Sequence, residues 1–309
     1  MNGGLERSDV SNSWAGKRRI WDEAARVAEF PEISGGRLIS SKAELWSDVL
    51  TAGPIRLFRD SAGISGDLIK AAREMHQLRH DPVFAGAGVP HGDGSPVRVL
   101  GGFLSSQTHY FDVTTAIHKA GYQAETLSWG FANVLPPLSM ADYTIPELMH
   151  SKKETGKRAK LIVHSKGGYD SLAMMLKHPD EFVDSVEHVV LVGSPVPRDL
   201  NRLLAFGYLV VNFFDDGEEF EMARKLDQLR PVVESGLVKF STIESSADPM
   251  VRGQHFSLDR DHYIVDGASH GALGMNSSTV RIVTHIFAGE EIDSNVYPNI
   301  HHPTVSRAA

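Results

Sequence analysis

Residues 161–171 read LIVHSKGGYDS: an apolar run, one serine, two glycines and then the start of a helical pattern. An apolar run that leads through a sharp turn into a helix is typical of a buried strand in a parallel sheet. A serine on such a turn is exposed at the carboxyl edge of the sheet, and small residues two positions away relieve the crowding. Gly167 is small, whereas Val163 is not. Ser165 is therefore either a nucleophile or an ordinary packing residue of a turn.

Short strand patterns and helical patterns alternate on both sides of this junction. Six segments have strand character, at residues 97–102, 123–129, 160–165, 188–194, 238–245 and 262–267. Helical patterns lie between them, at residues 109–121, 145–158, 168–182 and 277–289. Such alternation is typical of a mostly parallel sheet with crossover helices. We therefore predict an α/β fold with a mostly parallel central sheet flanked by helices.

Two regions depart from this alternation. Residues 1–95 hold helical patterns broken by turn signals, and we expect them to form a helical extension that packs outside the sheet. Residues 197–237 form a long, partly apolar insertion, which in an α/β fold is usually a cap or lid over the site. The α/β domain is expected to occupy residues 96–290, and residues 291–309 form a tail.

The composition is that of an ordinary globular protein, with 41% hydrophobic and 23% charged residues among 309. A formal net charge of -8 argues against nucleic-acid binding, which normally requires a basic face. The absence of cysteine excludes disulfides, thiolate metal sites and cysteine nucleophiles. No secretory signal is visible near the start, and no stretch reaches the roughly 18 apolar residues that span a bilayer. We expect a cytoplasmic protein without a transmembrane segment.

A serine hydroxyl is a poor nucleophile near neutral pH and needs a general base. Of the 15 histidines, His270 lies in the glycine-flanked segment GASHGALGMN between the last strand pattern and the last helical pattern. A histidine on such a loop is free to exchange protons, although it could also be a turn residue without chemistry. His164 adjoins Ser165, and we expect it to serve strand packing. His301 and His302 are expected to be solvated in a proline-flanked tail.

The carboxylate that orients the base should lie between the serine and the histidine in the chain, after a strand. Asp248, in the segment SSADPMV, meets both conditions. Asp199 after the preceding strand is its main competitor, and Asp215 and Asp216 in the insertion are further candidates. An aspartate before proline is often only a turn former. We prefer Asp248, because the acid must orient the histidine from a fixed strand end.

Two backbone amides are the candidate donors to an oxyanion. The residue after the nucleophile usually supplies one of them, which here is Lys166. The second is expected in the turn VLGGFLSS after the first strand, where Gly101 and Gly102 allow a close approach of the backbone and Phe103 supplies the amide. A plain tight turn is the alternative for this double glycine.

Five segments follow one another between residues 92 and 288: GDGSPVRVLGGFLSS, VHSKGG, LVGSPV, SSADPMV and GASHGALGMN. Together and in this order they resemble the serine α/β-hydrolase superfamily, and in particular its bacterial lipase-like and esterase-like members. The resemblance covers about two-thirds of the chain. Two positions depart from the family pattern. Val163 replaces the first glycine of the turn around the serine, and Gly101 stands where the family often has proline or histidine.

The resemblance implies that Ser165 is the nucleophile, Asp248 the acid and His270 the base. It implies cleavage of a small-molecule carboxylic ester through an acyl-enzyme, with no cofactor and no metal. The apolar stretch LLAFGYLVVNFF of the insertion fits an acyl-chain substrate, or alternatively packing of the insertion onto the core. Acyl transfer by the same triad and a non-catalytic binding module are the competing functions. The sequence does not predict the oligomeric state.

Overall fold

A computed structural model describes residue 66 and residues 69–103, 105, 107–127, 133, 135, 137–194, 235–248, 251 and 261–302. The expectations for residues 1–65 and for residues 197–234 of the insertion lie outside these described residues. The alternative acids Asp199, Asp215 and Asp216 lie outside them as well.

Seven strands form one sheet within the described residues. They are β1 Pro96–Leu100, β2 Gln123–Leu127, β3 Ala159–His164, β4 Val186–Val192, β5 Lys239–Ser245, β6 Asp261–Val265 and β7 Ile300–His301. The strand order is β2-β1-β3-β4-β5-β6-β7. Strands β1 to β6 are parallel, and β7 runs antiparallel to β6. The carboxyl ends of six strands therefore meet at one edge of the sheet.

Helices cover both faces of this sheet. Residues 69–80 form α1, followed by α2 Phe111–Lys119, α3 Pro137–Thr155, α4 Lys166–Lys177, α5 Pro179–Ser185, α6 His270–Leu273 and α7 Ser277–Ala288. Two short 3₁₀ helices, Pro82–Ala85 and Gln107–Tyr110, precede β1 and α2. Helices α3, α4 and α5 share one hydrophobic cluster with the strands, and α1, α2 and α7 share the other. No helix of the described residues has both the length and the apolar character needed to cross a membrane.

Strand β3 shows why the apolar run in the sequence marks the centre of the sheet. All six of its residues are buried. Leu161 and Val163 belong to the cluster with α3, α4 and α5, whereas Ile162 belongs to the cluster on the opposite face. A strand covered on both faces needs apolar side chains at successive positions, because successive residues point to opposite sides.

The predicted fold class is confirmed, and the six predicted strands are all present. Two elements differ from the expectation. Helix α3 begins at Pro137 rather than near Ile145, and Pro146 lies inside it. The short strand β7 in the tail was not predicted, because a pair of residues carries no periodic signal. It places Ile300 in the core, while His301 stays partly exposed and pairs with Asp266 over 2.6 Å.

Candidate active site

Ser165 occupies the turn between β3 and α4 in a strained conformation. Its φ is 53° and its ψ is -121°. Among the described residues it is the only residue other than glycine with a positive φ. Such a conformation costs on the order of 1–3 kcal/mol and persists only where the surrounding structure imposes it. The Ser165 amide donates to the Val192 carbonyl over 3.0 Å, which ties the turn to the end of the neighbouring strand β4.

A small residue is needed after Ser165 in this turn but not before it. A Cβ atom at Gly167 would lie 2.5 Å from the Leu100 carbonyl oxygen, so a side chain there would collide with the end of β1. Val163, which departs from the glycine of the pattern that the sequence resembles, is fully buried in the hydrophobic cluster shared with α4. The valine is therefore accommodated as a core residue, and the turn keeps its shape.

Three side chains from different strand ends form one hydrogen-bonded row. His270 Nε2 lies 2.8 Å from Ser165 Oγ, and His270 Nδ1 lies 2.8 Å from Asp248 Oδ2. Asp248, His270 and Ser165 are 0%, 4% and 9% exposed. The other carboxylate oxygen of Asp248 accepts a hydrogen bond from the Val251 amide over 2.9 Å. Because an ionised carboxylate only accepts, the neutral imidazole carries its hydrogen on Nδ1 and leaves Nε2 free to accept the serine proton.

The two candidate donors to an oxyanion are backbone amides in the segments that adjoin Ser165. One belongs to Lys166, the first residue of α4, where the helix dipole also favours negative charge. The other belongs to Phe103 in the loop after β1. This loop touches the serine, since a Cβ atom at Gly102 would lie only 2.8 Å from the Ser165 Cβ. The Gly102 amide itself is occupied, because it donates to Tyr110 Oη over 3.1 Å.

The Lys166 side chain turns into a buried charged cluster beside the same loop. Its Nζ lies 2.6 Å from Asp170 Oδ1 and donates to Asn133 Oδ1 over 3.1 Å. The Asn133 amide group donates to Asp170 Oδ2 over 2.6 Å and to the Gly101 carbonyl over 2.8 Å. Burial raises the pKa of Asp170, and the Lys166 ammonium and the Asn133 amide counteract that effect. The cluster therefore holds the loop after β1 from one side.

His164 reaches the other side of the site through both ring nitrogens. Its Nε2 lies 2.9 Å from the His270 carbonyl oxygen, and its Nδ1 lies 2.7 Å from Tyr110 Oη. Burial lowers the pKa of His164 to about 3, with a smaller contribution from the proximity of His270. The ring is therefore neutral near pH 7. His164 was expected to serve packing; the structure adds hydrogen bonds to two segments of the site.

The structure brings Ser165, Asp248 and His270 together and places the loop of Phe103 beside them. Sequence reasoning missed three polar residues around this group: Tyr110, Asn133 and Asp170. A signal was present for Asp170, which follows Lys166 by four positions on the same helix and therefore faces it. Tyr110 sat within a helical pattern, and no pattern marked Asn133, so neither could be assigned.

No protein-family model matches this sequence, and no curated protein matches it. Among solved structures, the chain is similar to the mature Bacillus licheniformis lipase BlEst2, at 15% identity and a TM-score of 0.48, over 65% of this chain and 96% of that one. It is also similar to a structure from a study of the metagenome-derived lipolytic enzymes LipS and LipT, at 14% identity and a TM-score of 0.45, over 65% and 94% of the two chains. A Bacillus subtilis structure described as a putative hydrolase gives 13% identity and a TM-score of 0.41, over 64% and 86%.

The chain has the α/β-hydrolase fold. The parallel strands follow the order β2-β1-β3-β4-β5-β6, and a strained serine lies on the turn between β3 and α4. An acidic residue follows β5, and a histidine follows β6, in the chain order that is typical of this fold.

Proposed function

We propose that this protein is a serine hydrolase that cleaves carboxylic esters through an acyl-enzyme intermediate. The observation that carries the proposal is the row of Asp248, His270 and Ser165, with both hydrogen bonds at 2.8 Å. A nucleophile, a base within hydrogen-bond reach and a third group that orients the base are the parts that acyl transfer requires.

In the first half of the reaction, Ser165 Oγ attacks the ester carbonyl carbon while its proton passes to His270 Nε2. The imidazolium that forms is stabilised by the Asp248 carboxylate. Negative charge develops on the carbonyl oxygen, and the amides of Phe103 and Lys166 donate to it. His270 then gives its proton to the leaving alkoxide oxygen as the carbon–oxygen bond breaks. An alcohol departs, and the acyl group remains on Ser165.

In the second half, water takes the place of the alcohol. His270 Nε2 accepts a proton from the water as its oxygen attacks the acyl carbon, and the same two amides stabilise the second oxyanion. When this intermediate collapses, the proton returns to Ser165 Oγ and a carboxylic acid is released. The row is nearly buried, which strengthens these charge interactions relative to water.

Hydrolysis of a series of p-nitrophenyl esters, from acetyl to decanoyl, tests this proposal. Ser165→Ala is expected to lose about 10⁴-fold or more in turnover, since the nucleophile is removed. Ser171→Ala is the matched control, because Ser171 is a buried serine of the adjoining helix α4, and its Oγ donates to the Gly168 carbonyl. Full esterase activity in folded Ser165→Ala would refute the assignment. A hydrolysis rate that does not depend on acyl length would exclude a preference for long acyl-chain substrates.

A further inference from the structure

A chain of hydrogen bonds connects the loop after β1 with the segment after β6. It runs from the Gly102 amide to Tyr110 Oη, then to His164 Nδ1, and from His164 Nε2 to the His270 carbonyl oxygen. The three donor–acceptor distances are 3.1, 2.7 and 2.9 Å. Tyr110 and His164 are both buried. We call this pair of side chains the Tyr110–His164 link.

The link has one consistent direction. A carbonyl oxygen only accepts, so the ring hydrogen of neutral His164 must lie on Nε2 and point at His270. The Nδ1 atom is then an acceptor, and it takes the hydroxyl hydrogen of Tyr110. The Tyr110 oxygen in turn accepts the Gly102 amide hydrogen. Every polar atom of the link is satisfied, and burial keeps the ring neutral by lowering the pKa of His164 to about 3.

The packing around His164 leaves little room for movement. A Cβ atom at Gly274 would lie 2.8 Å from the Cγ of the His164 ring, so the backbone after α6 rests directly on that ring. The centroids of the His164 and His270 rings are 5.0 Å apart. The imidazole therefore contacts the segment that carries the proposed base both by hydrogen bonding and by shape.

The sheet alone does not join the two segments that the link connects. Strands β1 and β6 are separated by β3, β4 and β5, so the loops that follow them have no backbone hydrogen bonds in common through the ladder. One loop carries the Phe103 amide, and the other segment carries His270. Both must act on the same substrate carbonyl, and a displacement of about 1 Å between reacting groups can lower the rate on the order of a hundredfold.

We propose that Tyr110 and His164 are positioning residues that hold the Phe103 oxyanion donor and the His270 base in register across the three intervening strands. The inference rests on the proposed function. Neither side chain exchanges a proton with the substrate; each acts through the backbone of another residue. Loss of the link should therefore impair the transition state, in which the oxyanion forms, and leave ground-state binding nearly unchanged.

Tyr110→Phe is the mildest test, because it removes one oxygen atom and keeps the ring. We expect kcat to fall about ten- to a hundredfold while KM stays within about twofold of the wild-type value. Tyr122→Phe is the matched control, since Tyr122 is also a buried tyrosine of the same hydrophobic cluster but directly precedes β2, at the amino edge of the sheet and away from Ser165. The control is expected to keep wild-type kcat and KM.

A second pair of variants separates positioning from general destabilisation. His188, like His164, is a buried histidine, and burial lowers its pKa to about 3. It forms a hydrogen bond of 2.7 Å with Ser241 Oγ near the amino ends of β4 and β5. His164→Asn and His188→Asn are expected to lower the melting temperature by similar amounts. Only His164→Asn is expected to lower kcat, measured well below both melting temperatures.

The inference would be overturned by a Tyr110→Phe protein with wild-type kcat, or by equal loss of kcat in the two histidine variants. An increase of KM with kcat unchanged in Tyr110→Phe would also contradict it, because that would indicate a binding role. Failure of the proposed function is distinguishable, since it would appear in the wild-type protein as absence of esterase activity.

Discussion

Ser165 Oγ and His270 Nε2 lie 2.8 Å apart although 105 positions separate the two residues in the chain. Two strands, β4 and β5, stand between the strands that precede them. The segment after β6 must therefore fold back across the carboxyl edge of the sheet to bring the imidazole to the hydroxyl. Each ring nitrogen of His270 thereby has a polar partner, Ser165 on one side and Asp248 on the other.

The base is predicted to be indispensable for turnover. His270→Gln keeps a side chain of similar size but removes the proton acceptor, so we expect ester hydrolysis to fall about 10⁴-fold or more. His301→Gln is the control, because His301 also pairs with an aspartate but does so at the partly exposed β7. Comparable activity in the two variants, measured by p-nitrophenyl acetate hydrolysis, would contradict the assignment.

Asp248→Asn is predicted to leave the fold intact and to lower kcat on the order of 10⁴-fold. The Val251 amide bonds one oxygen of the carboxylate, so the asparagine oxygen is expected to keep that bond and its amino group to face His270. The imidazole would then accept at Nδ1 and carry its hydrogen on Nε2, in the wrong position for the serine proton. Asp266→Asn, at an exposed aspartate paired with His301, is the control. A kcat within tenfold of wild type would exclude Asp248 as the orienting acid.

Gly102→Ala is predicted to lower turnover about a hundredfold, because the new methyl group would lie 2.8 Å from the Ser165 Cβ and displace either the serine or the loop after β1. Gly66→Ala serves as the control, since Gly66 lies in an exposed helical position where no atom of the described residues comes within 4 Å of an added Cβ. That control should keep its activity and gain slightly in stability. Kinetics on both variants check the expectation, and an unimpaired Gly102→Ala protein would contradict contact between the loop and the nucleophile.

The buried pair of Lys166 and Asp170 is predicted to show strong coupling in urea unfolding. Lys166→Met leaves the Asp170 carboxylate buried beside Asn133 without its cation, and we expect a loss of about 3–5 kcal/mol in the free energy of unfolding. The double variant Lys166→Met/Asp170→Asn should be less destabilised than the sum of the two single variants, because no unpaired charge remains. Strictly additive losses would show that the two groups do not interact.

Acidification is predicted to destabilise the fold partly through His188. Burial lowers the pKa of His188 from 6.5 to about 3, with smaller contributions from Lys239 and Lys160. Between these two values the unfolded chain binds a proton that the folded chain does not, so stability falls as the pH falls through that window. The slope for one such group is about 1.4 kcal/mol per pH unit. His188→Asn should therefore show a shallower loss of stability between pH 6.5 and 4 than wild type, and parallel curves would contradict a neutral buried His188.

The sequence predicted the elements whose patterns are local. An unbroken apolar run predicted strand β3. Ser165, Asp248 and His270 could be chosen because each follows a strand pattern, in the order that is typical of this fold. The surroundings of the site were not predictable in the same way. The contact of Tyr110 with His164 spans 54 positions, and that of Asn133 with Asp170 spans 37, so only the folded backbone brings these partners together.

The most direct test of the central claim is intact-protein mass spectrometry after treatment with a fluorophosphonate, followed by peptide mapping. The account predicts one phosphonyl adduct, located on Ser165, in the wild-type protein and a much slower or absent reaction in Ser165→Ala and His270→Gln. A folded wild-type protein that gains no adduct, or an adduct on another serine that persists in Ser165→Ala, would contradict the account.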